Sequence, residues 1–212
     1  MNDVPSYAEA SRVLCAERLH IGYGCFLLFA LVASALEMVY FGHRQVPVLT
    51  VFGLYVVVCG VGWVAMRAWP QRIYPITYLS ALAAILCMAV YHVWVGNPRE
   101  LMVMPLVLYL CATTAILPWG GMGQMWASLV AVATTAASAG FAMPHALPIP
   151  YALAGIVSVS FVTIPCADWF ERLRYAAWLD ARRARRAEAA LDRMEHAAVG
   201  MTRLAANGPR RG

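Results

Sequence analysis

Apolar residues in this chain fall in six long, unbroken runs, 21–41, 46–68, 73–95, 101–117, 122–143 and 151–170. Each is close to the roughly 20 apolar residues a helix needs to cross a bilayer. The runs are continuous and do not alternate, which argues for helices against a transmembrane barrel. Between 101 and 167 there is no Asp, Glu, Lys or Arg. Turn residues divide that stretch: Pro118, Trp119, Gly120 and Gly121 in one place, Pro144, Pro148 and Pro150 in another. The pattern predicts an all-α integral membrane protein, a bundle of six transmembrane helices. Residues 1–20 carry Asp3, Glu9, Arg12, Glu17 and Arg18 ahead of the first run. They read as a cytoplasmic amphipathic lead-in, not a cleavable signal peptide.

After Phe170 the chain becomes polar with no proline or tight turn between, so the sixth span is expected to continue as a cytoplasmic helix over 171–206. From Cys166 onward, steps of three and four residues pass through Phe170, Leu173, Ala184, Leu191, Met194 and Met201, with Asp180 as the one charged member. A 3.5-residue apolar period sustained over several heptads is the mark of a coiled-coil seam. It predicts a homodimer joined through this helix. Most seam positions are alanine, so the coil is expected to be weak. Residues 207–212, beginning Asn207, Gly208 and Pro209, read as a disordered tail.

Composition supports the membrane reading. The chain is 62% hydrophobic and 13% charged, whereas soluble domains carry about 25% charged residues. Its basic residues are all arginine, and their distribution gives orientation. Arg12 and Arg18 precede the first span, Arg67 and Arg72 separate the second and third, and ten follow the sixth; the other side has Arg44 and Arg99. The positive-inside rule then places both termini in the cytoplasm, as an even number of spans requires. Nine Trp and Tyr residues near span ends, among them Trp63, Trp94, Trp119 and Tyr151, fit an interfacial belt. The six cysteines are scattered singly, without a C-x-x-C pair.

Catalytic motifs are missing. There is no G-x-S-x nucleophile turn, no H-E-x-x-H and no paired acidic metal ligands beside a span. No catalytic residue and no cofactor are expected, and nothing points to nucleic acid. One polar cluster is a candidate ligand site: Glu37, Tyr40, His43, His92 and His145 all fall toward the outer side. An ionisable group inside a span is a functional candidate by default. Such a set suits a metal, a small ligand or a proton. The competing reading pairs Glu37 with Arg44 or Arg99 and leaves the histidines in water.

Three stretches carry a resemblance: 17–37, the Ile116-Leu117-Pro118-Trp119 turn, and 168–194 with its Trp169-Phe170-Glu171-Arg172 exit. With the spacing of the spans, they resemble the six-helix membrane input module of bacterial sensor histidine kinases, diguanylate cyclases and class III adenylate cyclases. The resemblance implies a non-catalytic sensory module in the bacterial inner membrane, whose exit helix signals to a cytoplasmic output domain. That domain is missing here or lies on a separate chain. Whether the chain is a truncated sensor kinase or a stand-alone module stays open. The alternative is a small six-span transporter or substrate-binding membrane subunit.

Overall fold

The computed structural model describes residues 6–141 and 148–206, with side chains described to 196 and at 198. Six α-helices follow in order: α1 Tyr7–Tyr40, α2 Gln45–Ala68, α3 Ile73–Trp94, α4 Arg99–Ile116, α5 Gly120–Ala137 and α6 Ile149–Ala206. Single 3-10 turns lie at Gly42–Arg44, Pro70–Arg72 and Ser138–Gly140. No strand occurs among the described residues. The expected lead-in is not a separate helix, because α1 runs without a break from Tyr7.

Five segments are long and apolar enough to cross a membrane: Tyr7–Tyr40, Gly42–Ala68, Pro70–Trp94, Arg99–Ile116 and Ile149–His196. The expected fifth run falls short of that standard. Its helix α5 ends at Ala137, and glycines 120, 121 and 123 together with Gln124, Ser128, Thr134 and Thr135 dilute its hydropathy. Most of that polar side faces inward: Gly120, Gly123, Gln124, Ser128 and Thr135 are buried, with Ala127 and Ala131. A helix that buries its polar side in protein needs less apolar surface than one surrounded by lipid.

The chain divides into two units, 8–171 and 1–7 with 172–212. In the larger unit, α3 lies between α2, α4 and α5. Its buried stripe is Ile73, Thr77, Ala81, Ala84, Ile85, Met88 and Ala89, a helical spacing with small residues where neighbours come close. Polar pairs tie α1 to α3: Ser11 to Tyr74 at 2.8 Å, Cys15 Sγ to Thr77 at 3.6 Å, and Tyr23 to Ser80 at 2.6 Å.

The turn after α4 buries its tryptophan, correcting the interfacial-belt reading for that residue. Trp119 is 6% exposed, stacks on Tyr78 at 5.8 Å and donates from Nε1 to Gln124 Oε1 at 3.2 Å. Gly123 makes room for it, since a Cβ there would sit 2.6 Å from the Trp119 ring. Thr113 also donates to Gln124 Oε1, at 3.3 Å, and Gln124 Nε2 donates to the Leu110 carbonyl at 2.9 Å. Gln124 is fully buried, and every polar atom of its amide has a partner.

In the smaller unit, the rings of Tyr7, Tyr175 and Trp178 meet at 4.9 Å and 5.6 Å. Arg182 lies over Trp178 at 5.1 Å, and Asp180 pairs with Arg183 at 3.2 Å. From 183 to 196 every side chain is exposed.

Candidate functional site

The site is built where α1 ends and where α3 passes into α4. At Phe41 the backbone leaves the helical region, with φ −132° and ψ 62°. The 3-10 turn that follows directs Arg44 inward and His43 outward. Arg44 donates to Asn97 Oδ1 at 2.8 Å and pairs with Glu37 Oε2 at 3.4 Å; its guanidinium lies 4.3 Å from the centre of the Phe41 ring. Both charged side chains are about three-quarters or more buried. After discounting for solvent, such a pair contributes on the order of 1 kcal/mol or less.

The α3–α4 turn places Asn97. The Asn97 amide donates to His92 O at 3.1 Å and the Gly96 amide to Val93 O at 3.2 Å, with Gly96 at φ +63°. This is a Schellman ending, which takes glycine at the left-handed position, with Pro98 following. It folds Asn97 back over the last turn of α3, so that Asn97 Nδ2 meets His92 Nδ1 at 3.1 Å. The hydrogen bonds then fix the proton positions. Arg44 has only donors, so the Asn97 oxygen faces it and the Asn97 nitrogen donates to His92. His92 Nδ1 is therefore an acceptor, and its ring proton sits on Nε2. Beside it, the Tyr91 hydroxyl is buried next to Glu37 and Arg44, with no hydrogen bond of ordinary distance and angle.

Glu37, Tyr91, His92 and Asn97 line one end of a cavity of about 400 Å³ between α1, α2, α3 and α4. Its remaining walls are mostly apolar, among them Phe26, Val51, Phe52, Tyr55 and Met88. A small ligand site typically combines 300–1,000 Å³ of mainly apolar space with a few convergent polar groups.

Of the five sequence-predicted site residues, Glu37 and His92 come to this cavity. Tyr40 does not, being 74% exposed, and His43 is exposed against the edge of Phe41. His145 lies outside the described residues. Arg99 is buried but binds Ser138, from Nε to Oγ at 3.2 Å and from Nη2 to the carbonyl at 3.5 Å, so Glu37 has Arg44 as its cation. Among the described residues no three His, Cys, Asp or Glu side chains converge as a metal site. Asn97 and Tyr91 are the members that single-residue reading undervalued. The Gly96-Asn97-Pro98 sequence was their signal, since it predicts the turn that brings Asn97 back.

Of the seam positions, Leu173, Ala184, Leu191 and Met194 are exposed, Phe170 is half-buried, and the Met201 side chain lies outside the described residues. No protein-family model, curated protein or solved structure matches the chain.

Proposed function

We propose that the chain is the membrane-embedded sensory input and dimerisation module of a bacterial signalling protein, without catalysis of its own. The observation that carries this reading is α6. It is one helix from Ile149 to Ala206. Its early turns supply Ile156, Ser160, Thr163 and Ala167 to the buried interior, and its later turns leave Leu191 and Met194 61% and 60% exposed. Large apolar side chains on an otherwise charged helix gain by burial against a second copy, at about 1.5–3 kcal/mol for each fully covered side chain. A continuous helix with one end in the bundle can pass a rotation or a slide to a domain beyond it.

On this reading α5 also crosses, as the fifth of six spans, and both termini face the cytoplasm of the bacterial inner membrane. Ten arginines after residue 170 support that orientation. The cavity between α1 and α4 is the input site, and the output domain lies on a longer form of the chain or on a separate one. The same cavity is what favours the second reading, a small transport or substrate-binding subunit. Helix phase separates them. With a dimerisation-dependent reporter fused after Ala206, insertions of one to four residues should make output rise and fall with a period near 3.5. A flat response would sink the input reading and leave the transport reading standing.

A further inference from the structure

Beyond the bundle, α6 is covered on one side only. Tyr175, Trp178, Leu179 and Arg182 share a face at helical spacing, and Trp178, Leu179 and Arg182 are half-buried there. The chain's own Tyr7 packs on that face, with ring centroids 4.9 Å from Tyr175 and 5.6 Å from Trp178. The seam lies on the opposite face. Each of its positions, from Leu173 through Ala177, Asp180 and Ala184 to Met194, is exposed.

The charges of this stretch are sorted about the seam. With Ala177, Ala184 and Leu191 as heptad a positions, Asp180, Ala187 and Met194 are d. Arg182, Arg185, Arg186, Asp192 and Arg193 then take the outer positions b, c and f. The positions beside the seam are Ala176, Arg183 and Ala190 at g and Ala181, Glu188 and Glu195 at e. In two parallel helices in register, each g residue faces the e residue five places further along the other chain. Ala176 then faces Ala181, Ala190 faces Glu195, and Arg183 faces Glu188. One pair of opposite charges results, made twice by symmetry, and no like charges meet beside the seam. Both side chains are available for it. Arg183 is exposed and gives one N–H to Asp180 Oδ1 at 3.2 Å, whereas a guanidinium has five. Glu188 is exposed and has no ion pair among the described residues. Asp180 falls in a core layer, where two copies would bring two carboxylates together. The Arg183 of its own chain neutralises each of them.

We infer that Arg183 and Glu188 select the partner of α6: a second copy of this chain, parallel and in register, with Arg183 of each copy on Glu188 of the other. The seam alone cannot make that choice. Ala177, Ala184 and Ala187 pack alike against many apolar faces, whereas both charge pairs form in one register only. The inference rests on the dimer reading of α6 and adds what fixes its partner and register.

The test is a charge exchange in full chains in membranes, each carrying Ala187→Cys and one of two tags of different mass. Disulfide-linked products are counted, with chains lacking Ala187→Cys as background. Arg183→Glu alone sets Glu against Glu, and Glu188→Arg alone sets Arg against Arg. Expressed together, these two chains regain both pairs in the mixed dimer. Arg183→Glu also takes away the partner of Asp180, which weakens the mixed dimer once and its own homodimer twice. That effect cancels when the mixed dimer is set against the geometric mean of the two homodimers. Wild-type chains with the two tags should mix at the statistical ratio. The exchanged chains should exceed that ratio about five- to twentyfold at low salt, as two attractive pairs replace two repulsive ones. The excess should shrink in 1 M salt, where the screening length falls to about 3 Å. Statistical mixing of the exchanged chains, or an excess that salt leaves unchanged, overturns the inference and leaves the dimer reading standing. No linked product in the wild-type background overturns both, as does linkage to a chain of foreign mass in place of the dimer.

Discussion

Two polar clusters sit inside the same bundle, and they differ in how completely they satisfy themselves. Around Gln124, each amide atom has a partner: Trp119 and Thr113 at the oxygen, the Leu110 carbonyl at the nitrogen. Gln124 is fully buried and lines neither of the two cavities of about 190 and 400 Å³. Around Glu37, Arg44 and Asn97 the partners are also close, but Arg44 Nε and the Tyr91 hydroxyl are buried without a hydrogen bond of ordinary distance and angle, and Glu37, Tyr91, His92 and Asn97 line a cavity of about 400 Å³. A closed network fixes how α4 and α5 meet, since breaking any member leaves others unpaired where water does not reach. An incomplete network beside a cavity is suited to a partner from outside. Burial alone would rank the Gln124 cluster as the functional one; unsatisfied donors and adjoining space reverse that order.

The contrast should be visible in stability. Gln124→Ala orphans the Trp119 N–H and removes one donor from the Leu110 carbonyl, while the Thr113 hydroxyl keeps that carbonyl as its acceptor at 3.1 Å. It is expected to lower unfolding free energy in mixed micelles by about 1–3 kcal/mol, the cost of one unsatisfied buried group. A loss below 1 kcal/mol would mean that water reaches the network. Gly96→Ala forces a Cβ into the left-handed region at φ +63°. The strain there is about 1–2 kcal/mol, so the variant should lose about that much stability, and relief of the strain would pull Asn97 off His92. A loss below about 0.5 kcal/mol would mean that the turn does not hold the Asn97–His92 contact in place. Tyr91→Phe should change stability by less than about 1 kcal/mol, as the hydroxyl lies beside Glu37 and Arg44 without a hydrogen bond of ordinary distance and angle. A larger loss would place Tyr91 in a structural role like that of Gln124.

Much of the bundle was legible in the sequence because lipid imposes a length and a composition that apolar runs display directly. The run at 122–143 misled on extent because hydropathy cannot distinguish residues facing lipid from residues facing protein. Gly123 and Gln124, which lower the run's hydropathy, pack against Trp119. For the site, Glu37 and the alternative pairing with Arg44 were both readable. Grouping Tyr40 and His43 with them assumed that the helix persists past Tyr40. It stops there, and in a 3-10 turn successive side chains point about 120° apart, so His43 and Arg44 diverge. Asn97 could be placed only through its turn, because its partners come from helix ends 53 and 5 residues away.

The central claim is that the state of the outer cluster reaches the exposed part of α6. Disulfide cross-linking in membranes through Ala187→Cys reads it, with Ala198→Cys as a second position on the seam. In the wild-type background each variant should give a dimer band, and Leu191→Asp with Met194→Asp should abolish it. Adding Glu37→Gln frees Arg44 from its carboxylate, an effect of on the order of 1 kcal/mol at the cluster, and should change the cross-linking rate about two- to fivefold in either direction. An unchanged rate at both positions would contradict the account, and the lack of any dimer band before Glu37 is altered would leave α6 a solitary helix.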